Sequence, residues 1–581
     1  MKKLLSILLA LVLVLSLATT AFAATAQVTI TGVSGRDYEA YKLLNASVSG
    51  TNYAYEVNTK YTEVLIQVLG MDATATGEDI ITEIGKITNT EAMRHFADKL
   101  YKAILAAGLA ADATWSGETV DLEQAYWLIA DVTDLSGTSS SNSLVMVDTV
   151  GDTDITVAAK PDTPDTVKKI DDENDSLIDP SPISEDATNL QDSADYDIGD
   201  RVPYVITTNL PNNISEYSYY SILLRDEVDK GLTYLPDSFA ITVNGKPMTI
   251  AEAGTDATAD FVYVIETTTD ADGKQTAQNL YVYPNRGYTL VEKDALGNPV
   301  EVAASKTAGG DFLALFPADT DHSAINFSEV VFSYECELNA AAVIGNPGNP
   351  NFYELVFSND PYSDSFGQTP RDVCIVFTYQ VIFNKVDSHQ DPLEGADFDL
   401  FKFVAIAGAD AYTEETAPAG AIFHNGANAW GYWQNLNGQK TTNKVADDPA
   451  TPEDESKEAT TFTFTGLDDG FYKLEETIVP LGYNGIDPIE FYVSAEHDTD
   501  FSAYVESGIL TALNATTKIS GELALDGGVN GILEATVENR SGTELPTTGG
   551  MGTTMFYVLG TMMVVGTAVL MVTRKRMTAF E

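Results

Sequence analysis

Short runs of alternating apolar and polar residues fill most of the chain. The runs are rich in Val, Ile, Thr, Tyr and Phe, and Gly, Pro, Asn and Asp interrupt them. A period of two is typical of strands that bury one face, and repeated turn residues between such strands are typical of β-sandwiches. The pattern therefore predicts an all-β fold with a minor α part, arranged as tandem β-sandwich domains.

One stretch departs from this pattern and predicts a helix. Between Thr90 and Ala107, apolar residues recur at three- and four-residue spacing, at Met93, Phe96, Leu100 and Ile104. This spacing places them on one face of a helix. We expect the helix to pack on a β domain near the start of the chain.

The two ends have different hydrophobic patterns. Two lysines precede an apolar run over residues 4–17, and Ala21-Phe22-Ala23 follows. This order predicts a secretory signal peptide over residues 1–23. Near the other end, an apolar stretch from Met555 to Val572 is followed by three basic residues. Its length predicts a C-terminal transmembrane helix in the precursor, over 555–573, with a basic cytoplasmic tail over 574–581.

Charge and length narrow the functional classes. The chain has 86 acidic and 32 basic residues, a formal net charge of −54. Such a balance argues against nucleic acid and anionic membranes as partners, and it favours a self-repelling extracellular protein. About 525 residues between the two terminal signals are too many for one hydrophobic core, so three or four domains are expected.

Domain boundaries follow from a linker and a repeat. Small polar residues and two prolines interrupt the strand pattern over residues 159–164. The segments TVKKID at 166–171 and IFNKVD at 382–387 both end in Lys, an aliphatic residue and Asp, which indicates two related modules. The predicted domains are 24–160, 161–380 and 381–543, followed by a sorting segment over 544–581.

The cysteines and histidines of this sequence do not form a recognisable catalytic or metal site. Cys336 and Cys374 lie in two strand-like runs, and the sequence allows either one disulfide or two free buried thiols. The five histidines lack ligand spacing, and no phosphate loop, nucleophile elbow or zinc motif occurs. We expect no metal, no cofactor and no enzymatic activity on other molecules.

The segment before the C-terminal apolar stretch is a recognisable motif. Its residues are Leu545, Pro546, Thr547, Thr548 and Gly549. They resemble the Leu-Pro-x-Thr-Gly sorting signal of Gram-positive surface proteins. The resemblance implies that a sortase cleaves between Thr548 and Gly549 and transfers the threonine acyl group to an amine.

Two motifs in the third predicted domain resemble one known module. The first is KVD at 385–387 with PLEGADFDL at 392–400, and the second is GFYKLEET at 470–477 with PLGY at 480–483. Together they resemble the B-type immunoglobulin-like repeat of Gram-positive collagen adhesins and pilins. The second motif matches the pilin E-box at each fixed position except that Val479 replaces alanine.

This resemblance implies an intramolecular isopeptide bond in the third domain. A lysine on the first strand, here Lys385, condenses with an asparagine on the last strand, here Asn539, and releases ammonia. The E-box glutamate, here Glu476, assists as the catalytic residue. Alternation places Lys385 on the inward face with Val381 and Phe383, where burial lowers a lysine pKa and frees a nucleophilic amine.

The second domain resembles the second domain of Gram-positive major pilins. Asp226, in LLRDEVDKGLTY, stands where those domains carry a catalytic aspartate. Because Val167 and Lys169 share a face, Lys169 is predicted as the inward amine rather than Lys168. Asn351 is the predicted asparagine, with Asn359 as the rival, because alternation gives both the same face.

The first boundary contains a candidate acceptor for polymerisation. Lys160, in ITVAAKP, occupies the place of the pilin-motif lysine, although its neighbours differ from the family's Tyr-Pro-Lys-Asn. It follows a strand pattern and precedes a proline-rich linker, which exposes its amine. Lys168 is the alternative acceptor.

The resemblance as a whole is to the major pilin subunit of sortase-assembled Gram-positive pili. It implies a cell-wall-anchored pilus shaft in which Thr548 is joined to Lys160 of the next copy. The implied partners are a pilin sortase, a housekeeping sortase, further copies of the chain, tip and basal pilins, and peptidoglycan. The alternative is a single-copy, sortase-anchored surface adhesin.

Overall fold

The computed structural model describes residues 25–49, 52–151, 154–159, 162–172, 190–293, 299–317, 320, 322–406, 412–443, 459–501, 504–517 and 527–542. Several predicted features lie outside these residues. They are the signal peptide, Lys160, the 545–549 motif, the 555–573 segment and the basic tail. Among the residues that are described, no helix has both the length and the apolar content needed to cross a bilayer.

The first segment combines two small sheets with three α-helices. Its elements are β1 (Thr25–Thr31), β2 (Asp37–Ser49), β3 (Asn52–Val57), α1 (Thr62–Val68), α2 (Gly77–Gly85), α3 (Thr90–Ala106), β4 (Ala113–Ser116), β5 (Thr119–Glu123), β6 (Ala125–Asp131), β7 (Leu144–Asp148) and β8 (Asp154–Ala158). One sheet has the order β5-β1-β8, and the other has β3-β2-β6-β7 with β4 on β2.

Helix α3 is the helix that the sequence predicts. The Asn89 side chain accepts a hydrogen bond from the Ala92 N–H at 2.7 Å and caps the first turn. Phe96, Leu100 and Ile104 are buried in one cluster with residues of β2 and β6. The expected packing of a helix on a β domain is confirmed, and α1 and α2 extend the helical part beyond the prediction.

The second segment is a β-sandwich. Its strands are β9 (Asp165–Asp171), β10 (Leu190–Gln191), β11 (Ser193–Asp195), β12 (Arg201–Asn209), β13 (Ser221–Asp229), β14 (Leu232–Val243), β15 (Lys246–Met248), β16 (Ile250–Glu252), β17 (Phe261–Thr269), β18 (Gln275–Pro284), β19 (Tyr288–Lys293), β20 (Pro299–Val302), β21 (Gly310–Asp311), β22 (Glu329–Leu338), β23 (Asn349–Ser358), β24 (Phe366–Gln368) and β25 (Asp372–Phe377).

Two large sheets of this segment bury a common core. One sheet has the order β10-β9-β12-β22-β14-β15, and the other has β11-β25-β23-β13-β18-β17-β16. Along β12, the burial alternates as the period-two pattern requires, with Val202, Tyr204 and Ile206 turned inward. Residues of both sheets form one hydrophobic cluster, so the predicted sandwich is confirmed.

The third segment is a second, smaller sandwich. Its strands are β26 (Tyr379–Val386), β27 (Asp397–Ala405), β28 (Ile422–His424), β29 (Ala429–Asn435), β30 (Lys440–Thr442), β31 (Thr461–Leu467), β32 (Gly470–Ile478), β33 (Ile489–His497), β34 (Leu510–Thr517) and β35 (Ile532–Glu538). The sheets have the orders β30-β31-β26-β35 and β28-β29-β27-β32-β33-β34. The first strand, β26, pairs in parallel with the last, β35.

The described residues form two compact units. The first unit contains those up to 378 together with 497–511, and the second contains 379–496 and those from 512 onward. The strand pairs between named strands stay within 25–158, 165–377 and 379–538. Short 3-10 turns occur at Thr59–Tyr61, Ile214–Glu216, Leu313–Leu315, His322–Ile325 and Asn437–Gln439. The division of the chain into three domains stays a prediction.

Candidate cross-linking sites

Lys385 enters the core of the third segment from the first strand. It is 1% exposed, and alternation along β26 places it on the same face as Val381 and Phe383, as predicted. Its Nζ atom donates to the backbone carbonyl of Val537 at 3.0 Å and lies 3.5 Å from that of Val386. The amine therefore lies against β35, two residues before Asn539.

Burial changes the acid–base behaviour of this lysine. Removal of the ammonium from water lowers the pKa of Lys385 to about 8, and the negative charges of Glu476 and Glu538 oppose the shift in part. A charged amine is disfavoured in a site of low polarity, which is the cause of the shift. A larger fraction of neutral, nucleophilic amine is therefore present near neutral pH than for an exposed lysine.

Glu476 and Asn539 are in direct contact. Glu476 lies on β32, and its Oε1 atom accepts a hydrogen bond from Asn539 Nδ2 at 2.7 Å. Its Oε2 atom accepts the backbone N–H of Ile486 at 3.0 Å. Asn539 is 1% exposed, and its backbone N–H donates to Val386 at 3.0 Å. The structure thus brings Lys385, Glu476 and Asn539 together.

In the second segment the structure corrects the choice of lysine. Lys168 is 0% exposed, whereas the side chain of Lys169 is 29% exposed and bonds to Asp192 at 2.5 Å. The prediction that Lys169 faces the core is wrong, because it took Val167 as the inward residue of β9. Val167 is 41% exposed, and the buried neighbour is Ile170, which shares a face with Lys168.

Asp226 binds the inward lysine at the centre of the sandwich. Its Oδ2 atom accepts from Lys168 Nζ at 2.5 Å, and both groups are almost fully buried. Its Oδ1 atom accepts hydrogen bonds from the hydroxyls of Tyr234 and Tyr334, each at 2.8 Å. The lysine Nζ also lies 5.2 Å from the ring centroid of Tyr204. A buried charge is tolerated only when it is paired and hydrogen-bonded, as here.

The structure also separates the two candidate asparagines. Asn351 is fully buried on β23 and donates from Nδ2 to the Tyr334 hydroxyl at 3.0 Å. Asn359 instead donates to the backbone carbonyls of Leu135 and Ser140, at 3.0 and 3.1 Å, in the first segment. Only Asn351 joins the network of Lys168 and Asp226 within the described residues.

The structure decides between the two states that the sequence allows for the cysteines. Cys336 and Cys374 are both buried and free. They belong to different sheets, on β22 and β25, and Cys374 lies opposite Asn351 in the strand register. Burial raises the pKa of both thiols. They act as small apolar residues of the core, the second of the two states that the sequence allows.

The sequence pattern does not single out Tyr234 and Tyr334, the two tyrosines of the second site. Tyr334 lies in VVFSYECEL, where alternation with Phe332 and Cys336 predicts an inward side chain but no special role. Tyr234 lies on β14, in the same sheet as β22. A buried tyrosine and an ordinary aromatic core residue have the same pattern, so only the tertiary structure shows which carboxylate each hydroxyl binds.

Comparison with known proteins places the third segment in a described domain class. Residues 379–506 match the SpaA prealbumin-like fold domain. The match covers the E-box and the strands that precede and follow it in the chain, β31 and β33. The tandem sandwich architecture and the resemblance to backbone pilins are confirmed.

A curated relative extends the similarity beyond this domain. The chain is 24% identical over 406 residues to the trypsin-resistant surface T6 protein of Streptococcus pyogenes serotype M6. The match covers 65% of this chain and 65% of that protein. The alignment is therefore partial on both sides.

Solved structures of pilins are also similar. The T6 backbone pilin of serotype M6 Streptococcus pyogenes is 17% identical, with a TM-score of 0.43, over 89% of this chain and 99% of that one. The major pilin SpaD of Corynebacterium diphtheriae is 14% identical, with a TM-score of 0.37, over 90% and 98%.

Proposed function

We propose that this protein is the shaft subunit of a covalent surface pilus. One observation carries the proposal: two tandem sandwiches each bury a lysine and an asparagine beside a carboxylate, which is the buried Asp226 in one and the half-buried Glu476 in the other. Burying a lysine side chain at two separate sites is costly for a protein that needs only stability. A chain that has to resist tension gains from cross-links at such sites.

The proposed cross-links are Lys168–Asn351 and Lys385–Asn539. In each, the lysine Nζ attacks the asparagine Cγ, an amide bond forms, and Nδ2 leaves as ammonia. Asp226 and Glu476 take and return the protons, which is general acid–base catalysis by the carboxylate of each site. The cross-links form within the chain, so the protein modifies only itself.

The proposed polymer is built head to tail by enzymes. A pilin sortase cleaves between Thr548 and Gly549 and joins Thr548 to Lys160 of the next copy. A housekeeping sortase attaches the finished fibre to peptidoglycan, and tip and basal pilins complete it. Because the joined surfaces differ, the contact is heterologous and produces an open filament. The supporting observations are the 545–549 motif, the terminal signals and the similarity to backbone pilins.

An immunoblot of enzymatically released cell walls tests this function. The extract is boiled in detergent, and the blot compares the wild-type strain with Lys160→Ala and Lys86→Ala strains. We expect a ladder of very large species from the wild type and from Lys86→Ala, whose side chain is 63% exposed on the first segment. We expect only monomer from Lys160→Ala.

One result would contradict the shaft, and another would contradict only the choice of acceptor. A single band near monomer mass from the wild type would favour a single-copy surface adhesin. A ladder that persists in Lys160→Ala would reject Lys160 as the acceptor. Lys168, the alternative acceptor in the sequence, is fully buried and bonded to Asp226, so its amine is not accessible to an incoming acyl-enzyme.

A further inference from the structure

One hydroxyl group joins the two halves of the second site. Tyr334 Oη accepts a hydrogen bond from Asn351 Nδ2 at 3.0 Å and donates to Asp226 Oδ1 at 2.8 Å. The other carboxylate oxygen of Asp226 holds Lys168 Nζ at 2.5 Å. A continuous chain of hydrogen bonds therefore runs from the lysine amine through the carboxylate and the phenol to the amide nitrogen.

We propose that Tyr334 is a catalytic residue, a proton relay that carries a proton from Asp226 to the departing Nδ2 of Asn351. This inference rests on the proposed Lys168–Asn351 cross-link. Tyr334 touches the atom that leaves, and within the described hydrogen bonds Asp226 itself reaches Asn351 only through this hydroxyl.

The proton movements balance without another reactant. Asp226 first takes a proton from the Lys168 ammonium, which leaves a neutral amine. The amine forms a bond to Asn351 Cγ, and the carbon becomes tetrahedral. The Asp226 proton passes to the Tyr334 oxygen while the Tyr334 proton passes to Nδ2. The Cγ–Nδ2 bond breaks, ammonia leaves, and Asp226 takes the second proton from the new amide nitrogen.

The direction of the Tyr334 hydrogen bonds fits this order. A planar amide nitrogen donates hydrogen bonds but does not accept them, as Asn351 does before reaction. Once Cγ is tetrahedral, Nδ2 is an amine with a lone pair and becomes an acceptor. The hydroxyl then reverses by rotation about its C–O bond, without movement of the ring.

The surroundings hold the ring and keep the hydroxyl neutral. Tyr334 is 1% exposed and stacks on Tyr204 and Phe332, with ring centroids 5.3 and 5.0 Å apart. Burial, followed by the negative charge of Asp226, raises its pKa well above the usual value. A neutral phenol both donates and accepts, which a relay requires.

A comparison of the two carboxylates gives the reason that only the second site needs a relay. In the third segment the carboxylate belongs to a glutamate, and Glu476 Oε1 reaches Asn539 Nδ2 directly at 2.7 Å. Aspartate is shorter by one methylene group. The Tyr334 hydroxyl fills the gap that this shorter side chain leaves between Asp226 and Asn351.

The same site provides a matched control residue. Tyr234 donates to the same Asp226 Oδ1 atom at the same distance, 2.8 Å, and is also buried. Among the described hydrogen bonds, its hydroxyl does not reach Asn351. A variant at Tyr234 therefore removes one hydrogen bond from the carboxylate but leaves the proposed relay in place.

The test measures how fast the cross-link forms. The full chain is synthesised in a short pulse as wild type, Tyr334→Phe and Tyr234→Phe, and peptide mass mapping follows Lys168–Asn351 over time. We expect Tyr334→Phe to slow this bond by about a hundredfold or more, the range of a lost general acid–base group. The Lys385–Asn539 bond in the same molecules should form at the wild-type rate.

Each result has a distinct meaning. Cross-linking of Tyr334→Phe at the wild-type rate would overturn the relay and leave the proposed cross-link intact. A similar loss in both phenylalanine variants would also overturn it, because support of Asp226 would then explain the effect. A wild-type chain without any Lys168–Asn351 peptide would overturn the cross-link itself.

A second substitution keeps the test valid if Tyr334→Phe does not fold. Incorporation of a ring-fluorinated tyrosine at position 334 keeps the ring and the hydroxyl but makes the phenol more acidic. A rate of Lys168–Asn351 formation that changes with the acidity of this phenol supports the relay. An unchanged rate, with the same replacement at Tyr234 as control, contradicts it.

Discussion

At the scale of single residues, each site combines a lysine, a carboxylate and an asparagine, but the carboxylate binds a different partner in each site. In the third segment, the carboxylate of Glu476 holds the amide of Asn539, and Lys385 bonds to backbone carbonyls. In the second segment, the carboxylate of Asp226 holds the amine of Lys168. The carboxylate therefore contacts the amine in one site and the amide in the other.

The lowered pKa of Lys385 predicts a pH dependence for the third-segment bond. Below about pH 8 the folded-state amine is mostly protonated and not nucleophilic, and above it the amine is neutral. We expect the rate of Lys385–Asn539 formation in newly made chain to rise with pH up to about 8 and then level off. Peptide mass mapping at a series of pH values measures it. A rate that is constant from pH 6 to about 8 would contradict this assignment.

At the scale of elements, the two proposed bonds connect different kinds of strand pairs. Lys385 and Asn539 belong to or directly follow β26 and β35, which are parallel neighbours in one sheet. Lys168 lies on β9 and Asn351 on β23, in the two opposite sheets of a sandwich. The first bond reinforces a hydrogen-bonded ladder, and the second ties two sheets through the core.

The orientation of β9 predicts different effects for two adjacent lysines. We expect Lys168→Ala to lose the second-segment bond and therefore to release one ammonia fewer than the wild type. The measured mass of the variant should exceed, by the mass of one ammonia, the value calculated for the same variant with two cross-links. Lys169→Ala should keep both bonds. Loss of a loop closure of this size lowers the free energy of unfolding by roughly 5 kcal/mol, in the chain-entropy account of cross-links. Intact mass spectrometry and thermal melts give both quantities.

Two other results would contradict this prediction. If Lys169→Ala lost the bond and Lys168→Ala kept it, the burial seen along β9 would not govern the chemistry. An equal loss in both variants would indicate a general defect in folding rather than a specific amine.

At the scale of the whole molecule, the proposed polymer defines a path for tension. Force would enter at Lys160 and leave at Thr548, so the first segment would lie outside the load. Its described lysines are all at least partly exposed, and Lys42, Lys60 and Lys102 form ion pairs with Glu123, Asp112 and Asp98. Within the described part of that segment, no buried lysine is paired with an asparagine.

Single-molecule pulling between positions 160 and 548 tests this path. We expect no domain-sized extension for the wild type, because each cross-link carries the tension past the residues it encloses. Lys168→Ala should release the second segment and lengthen the chain by about 3.5 Å for each freed residue. Pulling from residue 25 should unfold the first segment in both chains. Extension of the second segment in the wild type would contradict the cross-link.

The sequence by itself determined the strands, helix α3 and the residues of the third site. On β26, the period-two alternation allows one choice of inward face, and this face carries Val381, Phe383 and Lys385. The E-box is a contiguous motif that can be found in the sequence directly. Local periodicity reports which face of an element is apolar, so it succeeds where that face is unambiguous.

The tertiary structure decided the second site. On β9, Val167 and Ile170 lie on opposite faces, so alternation alone could not show that Lys168 is the buried amine. The choice of Asn351 over Asn359, the free state of Cys336 and Cys374, and the bridging role of Tyr334 all depend on contacts between distant strands. Such contacts arise from how two sheets pack, and no pattern along a single strand contains that information.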